Sequence, residues 1–112
     1  MDTIRVLAEA RKLVAESWNP IPKCRRTKPE ETIEGKYCVV EAVEKVGDKR
    51  FFQIGNQPAM LMFKARFELY YGLLELDHQQ TLKTFDRAIE LAAPRCPSSG
   101  QVADSTEVKD QN

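Results

Sequence analysis

Residues 77–92 read DHQQTLKTFDRAIELA, and this stretch decides the fold. Its apolar residues recur at intervals of three and four, which places them on one face of a helix. They are Leu82, Phe85, Ile89 and Ala92. Asp77 stands where an N-cap residue belongs, Gln80 completes an approximate capping box, and Pro94 ends the pattern. The stretch therefore predicts an amphipathic helix that buries one face against other helices.

A second helix is predicted at the N-terminus, where Asp2 or Thr3 is suited to capping it. Its apolar stripe consists of Val6, Leu7, Ala10, Leu13 and Val14. Pro20 ends this helix because proline lacks the amide donor. Residues 18–35 then form a long irregular connection. We expect Trp18, at its start, to anchor the core beneath the loop, because large aromatic side chains supply much of the burial in a small domain.

Residues 37–54 fit two structures. As a helix, this segment places five apolar residues on one face, namely Cys38, Val39, Ala42, Val43 and Val46. As two strands, its valines have high β-propensity and a turn at Gly47 leads to a returning strand at Phe51. Strict alternation fails at several positions, so the periodicity favours the helix. A short hairpin at 37–54, which would make the fold α+β, is the alternative.

A third apolar segment runs from Ala59 to about Glu75, with Pro58 placed to begin a helix. It is apolar on most sides, and such a helix is either central to a domain or shared with a second subunit. Methionine and tyrosine are also enriched at protein interfaces. We therefore predict a partner interface, with self-association into a homodimer as one form of it. Its residues are Met60, Phe63, Phe67, Tyr70 and Tyr71.

Together these segments predict an all-α fold, a bundle of three or four antiparallel helices forming a single domain over residues 1–93. A chain of 112 residues has room for one hydrophobic core. The expected core residues are Leu7, Leu13, Trp18, Val43, Phe63, Phe67, Leu82, Phe85 and Ile89. Residues 94–112 have no periodic apolar pattern, and we predict that this tail is disordered.

The charges argue against a general affinity for polyanions, because 17 basic and 17 acidic side chains cancel. One local cluster is basic, formed by Lys23, Arg25, Arg26 and Lys28. It is a candidate nucleic-acid contact, although the carboxylates of Glu30, Glu31 and Glu34 follow within a Debye length and weaken its field. A nucleic-acid-associated regulator is therefore the second functional hypothesis.

The three cysteines, Cys24, Cys38 and Cys96, are odd in number and widely spaced. This argues against a disulfide framework or a paired-cysteine zinc site and is typical of the reducing cytoplasm, where we expect the protein. The N-terminus has no signal-peptide pattern, and charged residues interrupt the longest apolar stretch, so we expect no membrane span. No cofactor motif is present, and we predict no metal ligand and no cofactor.

Three residues are candidates for a pocket: Trp18, Cys38 and the only histidine, His78. A thiol and an imidazole can form a nucleophile pair, but no activating motif surrounds either residue. We therefore assign no catalytic residue, and a small enzyme or ligand-binding module around Cys38 and His78 is the third hypothesis. The first hypothesis is a non-enzymatic accessory or regulatory protein that acts by protein–protein interaction.

Three segments give the chain a resemblance to a family of small bacterial and phage proteins of unknown function. They are ARKLV at 10–14, YCVVEAV at 37–43 and FDRAIELA at 85–92. The resemblance covers roughly residues 4–93, and His78 matches a Thr-His step before the closing Phe-Asp-Arg-Ala-Ile helix. Glu41 stands where the family has glycine, Asp77 stands where it has threonine, and the Asn-Asp step before the last helix is missing. The resemblance implies a compact helical fold and an intracellular or phage setting, and no activity.

Overall fold

The computed structural model describes residues 2–93, and it contains four α-helices. They are α1 (Thr3–Glu16), α2 (Val39–Gly47), α3 (Gln57–Tyr70) and α4 (His78–Ala92). Single 3₁₀ turns occur at Lys23–Arg25 and Pro29–Glu31, and residues 2–93 contain no strand. The all-α prediction is confirmed. The predicted disordered tail at 94–112, which includes Cys96, lies outside the described residues.

The alternative hairpin at 37–54 is wrong, because the first half of that segment is α2. The carboxylate of Glu41 accepts the Cys38 N–H at 3.1 Å and so satisfies a backbone donor at the start of the helix. Asp48 ends the helix in the left-handed conformation, with its N–H bonded to Glu44 O at 2.9 Å. The Glu44 carboxylate then accepts the Phe51 N–H at 2.9 Å, which folds the following residues into turns.

Helix α1 is the centre of the bundle. It packs against α2 and α4 and more lightly against α3, while α3 packs mainly on α4. Helix α2 packs extensively on α1 alone, so the bundle is not closed between α2 and the α3–α4 pair. Arg11 of α1 adds an ion pair with Asp86 of α4 at 2.7 Å.

The core confirms most of the predicted apolar residues. Leu7, Val43, Leu82 and Phe85 are buried. Leu13, Trp18 and Ile89 are partly buried and pack against that core. Phe63 and Phe67 were expected in the core, and this is wrong because both are exposed. Helix α3 instead buries Ala59, Met62 and Ala65, and this orientation turns its phenylalanines outwards.

The long connection closes on itself at its ends. The Asn19 N–H donates to Tyr37 O at 3.0 Å and the Tyr37 N–H donates to Ser17 O at 2.7 Å, which forms an isolated parallel bridge between Trp18 and Tyr37. The buried side chain of Asn19 donates to Glu31 O at 3.0 Å. Segment 18–37 is therefore a loop whose two ends are held together by backbone hydrogen bonds.

The capping predictions have different outcomes for α1 and α4. The Asp77 carboxylate accepts the Gln80 N–H at 2.8 Å, and Gln80 Oε1 accepts the Asp77 N–H at 2.9 Å, which confirms the capping box of α4. Asp2 occupies the N-cap of α1, but its side chain forms no capping hydrogen bond. The start of α1 is thus as predicted, without the side-chain cap.

Candidate functional site

One side of α3 is unusually apolar for an exposed surface. Four large apolar side chains lie there with at least half of their surface exposed, and we call them the α3 face. They are Met60 (57% exposed), Phe63 (50%), Phe67 (65%) and Tyr71 (77%), the last at the C-cap of the helix. Ala59, Met62 and Ala65 lie on the buried side. Among the predicted interface residues only Tyr70 is half-buried.

Aromatic contacts join the α3 face to the turn that precedes the helix. Phe67 packs edge-on against Tyr71, with ring centroids 4.8 Å apart. Phe63 contacts the rings of Phe51 and Phe52 at 5.5 and 5.8 Å. Phe52 is itself exposed, as is Ile54. These contacts extend the exposed apolar surface of α3 from Phe63 to the turn before the helix.

A second feature is a pocket of about 180 Å³ in the opening between α2 and the α3–α4 pair. Its floor is made of buried residues from the N-cap of α2, from α3 and α4, and from the turn before α3. They are Cys38, Phe51, Met62, Thr81 and Thr84. Its rim is formed by more exposed residues of the long loop, α3 and the connection to α4. They are Cys24, Arg25, Phe52, Phe63, Leu74 and Glu75.

Charged groups lie at the rim of this pocket. Arg25 of the 18–37 loop forms an ion pair with Glu75 of the connection between α3 and α4, and so links two segments across the pocket. Arg66 of α3 also lines the pocket, and its Nη2 donates to the carbonyls of Leu73 and Leu74 at 2.9 and 2.8 Å. The pocket thus combines an apolar floor with a rim that contains two guanidinium groups and one carboxylate.

The three predicted pocket residues are only partly brought together. Trp18 and Cys38 both line the pocket. His78 does not line it, because its ring stacks on Trp18 with centroids 4.9 Å apart and its Nε2 lies 2.8 Å from Val14 O. The sulfur of Cys38 accepts the Lys23 N–H at 3.4 Å. Within residues 2–93 the thiol and the imidazole therefore each have a hydrogen-bond partner of their own, and no hydrogen bond joins them.

Three members of the basic cluster form ion pairs, each with a different glutamate. Lys23 Nζ lies 3.4 Å from Glu44, and Arg25 pairs with Glu75. The Arg26 side chain is only 6% exposed and pairs with Glu41, whereas Lys28 is exposed. Ion pairing of this kind reduces the charge available to a polyanion. The nucleic-acid contact through these residues stays a prediction, and Arg26 is positioned as a structural residue.

The Arg26–Glu41 pair is the most elaborate polar contact in the described part of the chain. Arg26 also donates to Ile21 O at 3.0 Å and to Thr32 Oγ1 at 3.3 Å, both within the 18–37 loop, and its contact with Glu41 joins this loop to the first turn of α2. The hydrogen bond from Arg26 holds the pKa of Glu41 below its ordinary value, and the same bond raises the pKa of Arg26.

The sequence missed most of the pocket rim. No motif marked Arg66 or Glu75, because their significance arises from packing between distant segments. Glu41 carried a signal: a glutamate three residues after the N-cap residue of a helix can reach back to the N–H of that N-cap residue. The long loop gave no indication that Arg26 would be its other partner.

Two further observations concern metal ligands and membrane-spanning helices within residues 2–93. No group of three or more histidine, cysteine, aspartate or glutamate side chains is arranged there to hold a metal ion. No helix in that range is long and apolar enough to cross a lipid bilayer.

No family model, curated protein or solved structure matches this chain. The resemblance to the bacterial and phage family therefore stays a prediction. Any functional conclusion rests on the geometry of the α3 face and of the pocket.

Proposed function

We propose that this protein is a non-enzymatic accessory protein that acts by binding another protein through the α3 face. The observation that carries the proposal is the burial pattern of α3, where Ala59, Met62 and Ala65 face the core while Met60, Phe63 and Phe67 face solvent. Contiguous exposed apolar patches of this kind mark interaction sites in soluble proteins.

The composition of the α3 face supports a protein partner. Aromatic residues and methionine are enriched at the centres of protein interfaces, where lysine and glutamate are depleted. Phe67 and Tyr71 already contact each other edge-on, so this pair is held in place before binding. Ordering side chains in advance lowers the entropic cost of association.

The enzyme hypothesis has less support. The imidazole of His78 is occupied by Val14 O and the ring of Trp18, and the Cys38 sulfur accepts a backbone N–H. A nucleophile and its base must lie within hydrogen-bonding distance of each other. Each group instead has a structural partner of its own.

Self-association provides the test, because the protein partner that can be tested without prior identification is a second copy of the chain. Light scattering over a range of concentrations should show a mass above that of the monomer for the natural chain. A Phe63→Ser/Phe67→Ser variant should return to the monomer. The control is Ile33→Ser, which removes an exposed apolar side chain of the 18–37 loop, outside the α3 face.

Binding of a fluorescent apolar dye provides a second readout of the same surface. Dye fluorescence should fall in the Phe63→Ser/Phe67→Ser variant and stay unchanged in Ile33→Ser. A monomer at every concentration that binds no dye would contradict the proposal, because the surface would then have no affinity for apolar partners.

A further inference from the structure

We propose that the pocket between α2 and the α3–α4 pair binds a small monocarboxylate with an apolar body about the size of one aromatic ring. This site is distinct from the partner surface proposed above, although Phe63 borders both. The inference depends on three observations: the volume of the pocket, the chemistry of its floor and the charge of its rim.

The volume sets the size of the ligand. A pocket of about 180 Å³ is slightly larger than a protein cavity of roughly 150 Å³ that holds benzene. Drug-sized ligands need roughly 300 Å³ or more. A single ring or a short alkyl chain therefore fits, and a folded peptide segment does not.

The floor sets the polarity of the buried end. Cys38, Phe51 and Met62 provide apolar or weakly polar surface there. The hydroxyl groups of Thr81 and Thr84 donate to carbonyls of their own helix, Asp77 O and Gln80 O, each at 2.8 Å. Because those protons are already used, the floor presents no hydroxyl donor, and an apolar group is the best occupant.

The rim of the pocket determines which charged group the ligand carries. Arg25 and Arg66 carry two positive charges and Glu75 carries one negative charge, so the rim has a net charge of one positive unit. Within residues 2–93 Arg66 forms no ion pair, and its hydrogen bonds there use only Nη2. Its Nε and Nη1 groups therefore remain as donors beside the pocket.

A carboxylate matches these donors in shape and charge. The planar guanidinium group binds carboxylates through paired N–H···O bonds, which adds orientation to the electrostatic attraction. One negative charge neutralises the rim. A ligand with its ring on the floor and its carboxylate at Arg66 satisfies both ends of the pocket.

The only tryptophan of the chain makes the proposal measurable, because Trp18 lines the pocket. Phenylacetate is the probe, and its binding is followed by the fluorescence of Trp18. We expect a saturable change. Acetate carries the charge without the ring, and 2-phenylethanol carries the ring without the charge, so each should bind at least about tenfold more weakly than phenylacetate, a difference of roughly 1.4 kcal/mol.

Variants separate the role of Arg66 from a general charge effect. Arg66→Met should weaken phenylacetate binding at least about tenfold, in the range expected for loss of a charged hydrogen bond. Arg5→Met removes the same charge from an exposed pair with Glu9 on α1, where it should leave binding unchanged. Circular dichroism establishes that each variant is folded. If Arg66→Met does not fold, the comparison of the three probes on the natural chain still decides.

Three outcomes would overturn the proposal. One is the absence of a saturable signal with phenylacetate up to about 10 mM, since a ligand of this size should reach millimolar affinity. Another is equal binding of 2-phenylethanol, which would show that the carboxylate has no role. The last is an equal loss of binding in Arg5→Met and Arg66→Met, which would show that Arg66 acts only through the overall charge.

Discussion

Arg26 and Glu41 face each other with both ends of their planar groups: Nη1 and Nη2 of the arginine donate to the two carboxylate oxygens at 2.7 and 2.6 Å. The two residues lie 15 positions apart and belong to different parts of the chain, the 18–37 loop and the first turn of α2. Little of either side chain reaches solvent. This pair therefore fixes the loop on the helix that forms one wall of the pocket.

Removal of one partner of this pair should destabilise the protein strongly. Glu41→Gln leaves the guanidinium of Arg26 buried without a counter-charge, and we expect the free energy of unfolding to fall by about 3 kcal/mol. Denaturant unfolding measures the change. Glu9→Gln breaks an exposed ion pair with Arg5 and should cost less than about 0.5 kcal/mol. A Glu41→Gln protein as stable as the Glu9→Gln control would show that the pair contributes little.

The same pair should make the free energy of unfolding depend on pH in the acid range. The pKa of Glu41 is lowered in the folded state, chiefly by the hydrogen bond from Arg26. The unfolded chain therefore binds the proton more tightly, and the stabilisation is complete above the unfolded pKa of roughly 4.3. It is lost as the pH falls through the lower, folded value. Unfolding free energies measured between about pH 3 and 7 should fall less steeply in Glu41→Gln, since that variant lacks the group; equal slopes would contradict the assignment.

The N-cap residues of α1 and α4 should respond differently to the same substitution. Asp77→Ala removes a carboxylate that accepts the Gln80 N–H, and we expect a loss of about 1 kcal/mol in unfolding free energy. Asp2→Ala removes a side chain that forms no capping hydrogen bond, so its cost should stay below about 0.5 kcal/mol. Thermal or denaturant unfolding distinguishes the two. A larger loss in Asp2→Ala than in Asp77→Ala would reverse the assignment of the caps.

The orientation of α3 predicts that enlarging a small residue destabilises the protein more than removing a large one. Ala65→Leu adds bulk at a fully buried position and should destabilise the protein by about 1–3 kcal/mol. Phe67→Ala removes a large ring from the exposed side and should cost less than about 1 kcal/mol, far below the 3–5 kcal/mol typical of a buried phenylalanine. Denaturant unfolding of both variants tests this order of effects. If Phe67→Ala were the more damaging change, Phe67 would belong to the core.

The contrast between α4 and α3 shows what the sequence determines here. In α4 one stripe is apolar and the rest polar, so periodicity identifies both the helix and its buried side, including Phe85. In α3 nearly every side is apolar, so periodicity identifies the helix without choosing a side. The choice depends on tertiary packing, which buries Ala65 and leaves Phe67 exposed.

The pocket lay further from prediction for a related reason. It exists because α2 packs on α1 and leaves space beside α3 and α4, which is a property of tertiary packing. Trp18 and Cys38 were identified as pocket residues from their chemical type. Arg66 and Glu75 have ordinary positions in the sequence, and only the fold brings them to one rim.

The bridge between Trp18 and Tyr37 also has a practical meaning for engineering. Because the chain enters and leaves the loop at neighbouring points, the helices are anchored independently of the number of residues between them. The entropic cost of closing a flexible loop, expressed as free energy, rises by only about 0.6 kcal/mol for each doubling of the loop length. Gly35 is exposed and lies in a tight turn with φ +79°. A foreign epitope inserted near it, with the Arg26–Glu41 ion pair intact, would therefore be displayed on a folded scaffold.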